Sequence, residues 1–472
     1  MKVKLFSLFV VLALAFAGFS PSNVQAQAYT TTFTTSVTYQ NVGTVATTSL
    51  QVLFYATPST TTPTTVTLTN LAAGASSSLY IGSLTQAEVP TGFQGSAVMQ
   101  SDQPLLATLV QVPQGSATVF VRPLSNGFSD GGDTALIATV LKNTYGAHTK
   151  FSIQNIDSQL NNVDIKFYDT SATLVHTIAQ AIESGASYYV DAATVAALGA
   201  SFNGSVVATA TRADASAGKI VGSAMELDIT GTGAKAFESV ATGATTLYMP
   251  SALCNVYGGQ NTSYAVQNTS LTTATDVTVT YSPGGLAVTK NIGAGAKASF
   301  PACDTVAAGF VGSATVTSTT TPVIAMGKVY GAGLSTAFLG APNGDANIAL
   351  PYVRWAPDAD YTSGSRQRTY IAIQNVGAAE IPAGSITITY TDSFGHTGTH
   401  VYASALPVGS KFSSNASNAG LTEFGYSGSN YGGGATITCA VAGCQLMAIA
   451  RVQTYVSASS TAAEDYNAMP IP

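Results

Sequence analysis

Four cysteines are the residues of this chain whose type and spacing point most directly to a chemistry. Cys439 and Cys444 bracket the short run Ala-Val-Ala-Gly, which suits a hairpin, and Cys254 and Cys303 belong to one repeat of the chain. Four cysteines allow three pairings, and we expect the two local ones as disulfides. A zinc site is the alternative, but zinc clusters usually combine such a pair with nearby histidines.

Side chains suited to catalysis are sparse. His396 and His400 lie in Phe-Gly-His-Thr-Gly-Thr-His, a sequence typical of a solvated hairpin tip. The 23 acidic residues are thinly spread, so no pair stands out as the two carboxylates of a glycosidase. No Gly-x-Ser-x-Gly nucleophile turn occurs either. We therefore expect a protein that is not an enzyme and that has neither a cofactor nor a metal.

The N-terminal residues have the pattern of a secretory signal. Lys2 and Lys4 precede an apolar run over Leu5–Phe19, and small residues then offer cleavage sites after Ala26 or Ala28. A retained membrane anchor is the alternative, which the immediate cleavage sites disfavour. No later stretch reaches the roughly 18 apolar residues of a membrane span. We expect a secreted protein, extracellular or associated with the cell surface.

The composition is unusually poor in charge. Only 8% of the residues are charged, against about 25% in an average soluble chain, and Tyr29–Ala87 contains no charged residue. With so few cations, a track for nucleic-acid phosphates is not expected. A weakly charged surface repels its own copies little, so the composition favours self-association.

Three sequence markers recur in the same order four times, about 110 residues apart, which predicts a fourfold internal repeat. The first marker is a Gln-Asn pair, the second is an aliphatic residue three positions before a glycine, and the third is a Gly-Ser pair at the start of a strand. The Gln-Asn pairs begin at Gln40, Gln154, Gln267 and Gln374; the aliphatic residues are Leu71, Ile182, Ile292 and Leu406; the strand starts follow Gly92, Ser201, Gly309 and, in a degraded form, Gly432.

Each repeat has the pattern of β-structure. Runs such as Val-Asp-Ile-Lys-Phe-Tyr alternate side chains with period two, so one face meets a core and the other meets water. Turn clusters about 8–12 residues apart are typical of a sandwich, and only Asp191–Ala200 suggests a helical turn. We predict an all-β chain of four tandem antiparallel β-sandwich domains in a row. After a signal peptide at 1–28, their predicted bounds are 29–127, 128–240, 241–340 and 341–472, the last with a C-terminal strand or tail.

The Gln-Asn pair requires a physical reason, because adjacent side chains of a strand point to opposite faces. A buried carboxamide bonds two backbone groups and holds a turn against a sheet edge, which is the role we expect. Trp355, the only tryptophan, lies in an insertion of the fourth repeat and is the candidate for binding a ligand. Asp358 and Asp360 nearby suit turn capping better than calcium binding.

The repeats resemble the tandem β-sandwich repeats of secreted surface proteins of filamentous bacteria. In those repeats an apolar-Pro leader strand, a Gln-Asn strand and a Gly-Phe-x-Gly-Ser turn follow one another. Leu247–Asn268, with Gly-Phe-Val-Gly-Ser at Gly309, carries the resemblance best. The resemblance implies an immunoglobulin-like fold and a structural or adhesive role, and its markers transfer no catalytic residue.

The apolar C-terminal tail suggests two arrangements. Met469-Pro470 matches the leaders of repeats three and four, which contain Met249-Pro250 and Leu350-Pro351, while repeat one has no leader after the predicted cleavage site. In one arrangement, the tail of one molecule adds a strand to the first sandwich of the next and builds a filament. In the other, the tail is the last turn of repeat four. The residues concerned are Tyr466, Met469, Pro470 and Ile471.

These observations together predict a secreted structural protein of the cell surface or extracellular matrix. Its expected partners are copies of itself, with no nucleic acid and no membrane span. The alternative is an adhesin or an array of carbohydrate-binding modules, whose partners would be cell-surface glycans. A flat row of exposed aromatic rings would favour the alternative.

Overall fold

The computed structural model describes residues 31–57, 62–114, 119–229, 233–426, 431–458 and 460–471. The predicted signal peptide at 1–28 lies outside these residues. Within them the chain is all-β with antiparallel sheets, as predicted. Two sheets form in each of the four sequence repeats, and we refer to these segments as repeat units 1 to 4.

Repeat unit 1 forms two sheets. Its strands are β1 (Thr32–Asn41), β2 (Leu50–Ala56), β3 (Thr64–Thr67), β4 (Ser76–Tyr80), β5 (Gly95–Ser101), β6 (Leu105–Gln114) and β7 (Leu124–Asn126), with a 3₁₀ turn at Ile81–Ser83. The sheet orders are β4-β1-β6-β7 and β3-β2-β5.

Repeat unit 2 adds a leading strand to this pattern. Its strands are β8 (Thr134–Lys142), β9 (Ala147–Asn155), β10 (Asn161–Asp169), β11 (Leu174–Ile182), β12 (Ser187–Asp191), β13 (Phe202–Arg212), β14 (Ile220–Asp228) and β15 (Ala234–Glu238). The sheet orders are β12-β9-β14-β15 and β11-β10-β13-β8. The helical turn predicted within Asp191–Ala200 is present as two 3₁₀ turns, Ala192–Thr194 and Ala196–Leu198.

Repeat unit 3 repeats the arrangement of unit 2. Its strands are β16 (Thr246–Cys254), β17 (Asn261–Asn268), β18 (Thr275–Ser282), β19 (Ala287–Ile292), β20 (Lys297–Pro301), β21 (Phe310–Ser318), β22 (Val323–Gly331) and β23 (Leu334–Leu339), with a 3₁₀ turn at Ala302–Asp304. The sheet orders are β20-β17-β22-β23 and β16-β21-β18-β19.

Repeat unit 4 carries the insertion and the tail. Its strands are β24 (Asn347–Leu350), β25 (Gln367–Asn375), β26 (Ile386–Asp392), β27 (Thr397–Val401), β28 (Lys411–Ser414), β29 (Gly433–Cys439), β30 (Leu446–Ser457), β31 (Ser460–Asn467) and β32 (Met469–Pro470). The sheet orders are β28-β25-β30-β31 and β27-β26-β29-β24-β32. The insertion contains the short helix α1 (Asp358–Thr362), and a 3₁₀ turn spans Ala416–Ala419.

The two sheets of a unit pack face to face over an apolar core, an arrangement consistent with a β-sandwich. In unit 2, Phe151 and Ile153 of one sheet and Ile165 and Phe167 of the other belong to one buried cluster. The alternation of buried and exposed residues along β10 shows why, because period two puts every second side chain into this core. We name the sheet with the Gln-Asn strand the Gln-Asn sheet, and the sheet with the third marker the Gly-Ser sheet.

The units do not lie in a simple row, and that part of the prediction is wrong. An extended row would allow contacts only between successive units, whereas unit 1 also contacts unit 4. The Nε2 of Gln40 donates to the Oγ1 of Thr436 at 3.4 Å, and the Nδ2 of Asn126 donates to the carbonyl of Asn467 at 2.8 Å. The described parts of the four units therefore form a closed ring of contacts.

Candidate functional site

The Gln-Asn pair acts as a clamp on a turn, in the role expected from the sequence. In unit 2, the Nδ2 of Asn155 donates to the carbonyls of Gln159 and Ile182 at 2.7 and 2.8 Å, and its Oδ1 accepts the N–H of Asp157 at 2.8 Å. Ile182 is the aliphatic residue of the second marker, so the first two markers form one device. The clamp asparagines are fully buried in all four units: Asn41, Asn155, Asn268 and Asn375.

The glutamine of the pair reaches the glycine of the second marker. Gln40, Gln154 and Gln374 donate from Nε2 to the carbonyls of Gly74, Gly185 and Gly409. The glutamine of unit 3 instead donates to a neighbouring unit, at the Oγ of Ser205, 2.8 Å away. The Nε2 groups of the four glutamines are thus bonded within the fold, which supports the structural role. The buried Oε1 atoms of Gln40, Gln267 and Gln374 have no hydrogen-bond partner among the described residues.

The third marker lies where successive units meet. The serine after its glycine bonds the glycine turn of the next unit, as Ser96 does with the carbonyl of Gly185 at 2.6 Å and Ser313 with that of Gly409 at 2.5 Å. In unit 4 the serine is replaced by Gly434, because a Cβ there would overlap the Oγ of Ser76 in unit 1. The degraded marker is thus the contact that closes the ring.

Charged and amide side chains gather where one edge strand of each unit meets the others, a site that we name the central junction. There β7, β15, β23 and β31 contact one another in a cycle. Thr336 donates to a carboxylate oxygen of Asp465 at 2.7 Å, and the backbone N–H of Arg122 donates to Glu464 at 2.6 Å. Arg451 also pairs with Asp465 at 2.7 Å.

Glu226 lies at the centre of a charge cluster in this region. Its two carboxylate oxygens each lie 2.7 Å from a lysine nitrogen, those of Lys235 in unit 2 and Lys328 in unit 3. Burial alone would raise the pKa of Glu226, but the two lysines outweigh it and lower that pKa to about 2. The pKa of Glu464 moves the other way, well above its usual value, because burial dominates there. The cluster ties units 2 and 3 together through paired, buried charges.

A cavity of about 250 Å³ lies beside the junction and takes its lining from all four units, including Asn126, Glu238, Leu339 and Ala468. Two acidic side chains, Glu238 and Asp345, are among the lining residues. Asp345 accepts the N–H of Asn347 at 2.9 Å, and the carboxylate of Glu238 accepts the backbone N–H of Asn126. Burial raises its pKa. This carboxylate is therefore bonded within the fold.

The tail residues singled out from the sequence lie on their own chain. Met469 and Pro470 pair with Ala349 and Ile348 of β24, and the N–H of Ile471 donates to Asn347 at 3.0 Å. Tyr466 is only 2% exposed and donates to the carbonyl of Tyr352 at 2.7 Å. The structure thus shows the tail as the last element of unit 4.

Both expected disulfides are present. The sulfur atoms of Cys254 and Cys303 are 2.13 Å apart and those of Cys439 and Cys444 are 2.12 Å apart. Two disulfides are consistent with an extracellular location.

The remaining predicted residues do not converge on a site. Trp355 is half-buried, with the guanidinium of Arg368 4.7 Å from its ring centre and the ring of Tyr370 5.7 Å away. Asp358 is paired with Arg368, at 2.6 Å. His396 is exposed and bonds Asp392, while His400 lies in β27 with Nδ1 2.7 Å from the Oγ of Ser414. In the part of the chain that the structure describes, no three potential metal ligands gather.

No sequence pattern predicted the central junction. Glu226, Lys235 and Lys328 are separated along the chain and lie in runs without a distinctive pattern. The one available signal was their position, because charged residues on the core side of a strand need charged or hydrogen-bonding partners.

Within the described ranges, no helix has the length and apolarity to cross a bilayer.

Comparison with known proteins adds no relative. No protein-family model matches this chain, and no curated protein matches it significantly in sequence.

Proposed function

We propose that the protein is a secreted structural protein of the cell surface or extracellular matrix, which associates with copies of itself. In this proposal the four repeat units are four immunoglobulin-like domains, and the protein is not an enzyme. The expected resemblance to tandem repeats of bacterial surface proteins is part of the same proposal.

The observation that carries the proposal is that the repeated polar residues are buried and bonded within the fold. The clamp asparagines are the most regular polar feature of the chain, and all four are fully buried and bonded to backbone groups. Residues repeated four times for one architectural task favour a scaffold, because a catalytic site needs an accessible reactive group.

Two further features support the proposal, one for its location outside the cell and one for its self-association. The disulfides suit an oxidising compartment, and the low charge leaves little electrostatic repulsion between copies. Trp355 does not favour the carbohydrate-binding alternative, because Arg368 and Tyr370 pack against its ring.

The test is the assembly state of the mature protein recovered from the secreted fraction. We expect size-exclusion chromatography with light scattering to show oligomers that grow with concentration, and negative-stain microscopy to show filaments or sheets. A protein that stays monomeric at every concentration, or that is retained inside the cell, would overturn the proposal.

A further inference from the structure

Within the described residues, one strand of unit 1 has an uncovered edge. In units 2, 3 and 4, the strand of the third marker lies between two neighbours, because β8, β16 and β24 cover its outer side. Among the residues that the structure describes in unit 1, β5 pairs with β2 alone. The leading strand of the other units has no described counterpart here.

Matched positions show what the leading strand covers. Ala97 of β5 stands opposite Phe54 of β2, and in the other units the residues opposite the same aromatic position are Val206, Ala314 and Ala435. Those three are 0% exposed, whereas Ala97 is exposed. The next inward residue, Met99, is only half-buried, although its counterparts Ala208, Val316 and Ile437 are 0% exposed.

In units 2, 3 and 4, the leading strand also contacts a residue on its other side, away from the strand of the third marker. The N–H groups of Gly127, Ser239, Gly340 and Ala468 make the same bond in the four units, to Ala107, Gly222, Ala325 and Ala448. The residue after each of the last three, Val240, Ala341 or Met469, bridges to the leading strand. The residue in the corresponding position, directly after Gly127, is Phe128, which is 38% exposed. The edge of β5 and Phe128 thus border the position that the leading strand occupies in the other units, which we name the acceptor slot.

The exposed edge is ready for pairing. At the two ends of β5, Thr57 N–H bonds Gln94 and Asp102 N–H bonds Ser49. Because the bonded positions alternate along an antiparallel pair, the backbone groups of the even-numbered residues of β5 face β2. The backbone groups of Gly95, Ala97 and Met99 therefore point into the slot. β5 contains no charge and no proline, the devices that usually protect an edge from strand addition.

We propose that the acceptor slot binds the C-terminal segment Ala468–Ile471 of a second copy of the chain. The inference rests on the proposed self-association and names its contact. Ala-Met-Pro-Ile matches Ala-Leu-Pro-Tyr at Ala349–Tyr352, which fills the same slot in unit 4. Donor and slot are both uncharged. The proposed contact between molecules has the same kind of strand pairing that β8, β16 and β24 make within the chain in units 2, 3 and 4.

The tail is lightly held where it lies. Its pairing with β24 covers two residues, Pro470 is exposed, and Met469 and Ile471 are half-buried. Upstream, Tyr466 is buried, and Asn467 exchanges bonds of 2.8 and 2.9 Å with the backbone of Leu339. For the segment after Asn467 to leave this position, it must give up the short pairing with β24 and the bond from Ala468 N–H to Ala448. Tyr466 and Asn467 keep their own bonds and hold the rest of unit 4 in place. Since donor and acceptor differ, the contact does not close and builds a filament.

The pairing of unit 4 fixes the expected register. Leu350 stands opposite Ala435, so Met469 of the donor should stand opposite Ala97 of the acceptor. All four native cysteines are in disulfides, which leaves introduced thiols as the free ones. We expect the secreted double variant Ala97→Cys, Met469→Cys to form a ladder of reducible oligomers under mild oxidation. Val98→Cys, Met469→Cys is the control, because Val98 faces the other side of the sheet, and it should give at least ten-fold less ladder. Equal ladders, or none, would overturn the proposal.

A complementation experiment tests the same contact without cysteines. Ala97→Pro removes an N–H from the slot side of β5 and keeps the tail, while a chain ending at Ala468 keeps the slot and lacks the donor. Each should be monomeric alone, and their mixture should form a one-to-one dimer. Ala97→Ser is the matched control and should assemble like the wild type. Should Ala97→Pro prove unfolded by circular dichroism, the cysteine pair decides alone.

The outcomes separate the inference from the proposed function. If the wild type assembles and both variants still do so alone, copies meet elsewhere, and the slot proposal fails while self-association stands. If the wild type never assembles, both fail.

Discussion

Replacing Asn155 by alanine tests whether the clamp is a main source of stability. Its side chain makes four hydrogen bonds, to the carbonyls of Gln159 and Ile182 and from the side chain of Asn161 and the N–H of Asp157. At about 1 kcal/mol net for each bond, Asn155→Ala should lower the free energy of unfolding by about 4 kcal/mol. Asn155→Asp should cost at least as much, because it turns a carboxylate oxygen toward two carbonyls.

Asn162 supplies the matched control. It lies on β10 beside Asn161, but its side chain is exposed, so Asn162→Ala should change the free energy of unfolding by less than about 0.5 kcal/mol. Urea unfolding followed by circular dichroism measures both, and with a slope of about 2 kcal/mol per molar the clamp variant should lose about 2 M in midpoint. If the two variants differ by less than about 1 kcal/mol, the clamp does not have the role argued above.

Three further perturbations probe other parts of the fold. The two lysines lower the pKa of Glu226 to about 2 in the folded protein, from its usual 4.5. The stabilisation from its ion pairs is therefore complete above about pH 4.5 and is lost as the pH falls toward 2. Glu226→Gln should lower the melting temperature strongly at pH 7 and progressively less between about pH 4.5 and 2. Gly204→Ala should cost more than about 2 kcal/mol, because a Cβ would overlap the carbonyl of Tyr168, whereas Gly127→Ala meets ordinary contacts at 3.5 Å and should be tolerated; equal melting temperatures would contradict this. The disulfide Cys254–Cys303 closes a loop with a sequence separation of 49, so replacing both cysteines by serine should lower the free energy of unfolding by about 4 kcal/mol. The disulfide Cys439–Cys444 has a separation of 5, and its paired serine variant should lose about 2 kcal/mol. Urea unfolding measures both.

The strands and the repeat were predictable because they depend on local patterns. The alternation along β10 and the position of Asn155 at the end of its strand are visible in the sequence, and both have the structural role expected of them. The disulfides were predictable for a similar reason, since each cysteine pair belongs to a single repeat.

The closure of the ring was not predictable from the same patterns. It depends on pairs such as Gln40 with Thr436, 396 residues apart, in which the threonine resembles any other threonine of a strand. In the sequence, the glycine at position 434 has the appearance of a degraded marker, whereas in the structure it makes room for the side chain of Ser76. Contacts between units depend on shape across large separations, which periodicity does not report.

A cycle of contacts within one polypeptide restricts how this gene product can change over evolutionary time. A linear solenoid tolerates gain or loss of a module, because each module touches only its neighbours. Here the fourth unit must meet the first, so duplication or deletion of one module would leave Asn126 and Asn467 without each other. Copy number is therefore expected to be fixed at four among its descendants, with variation confined to loops such as the one around Trp355.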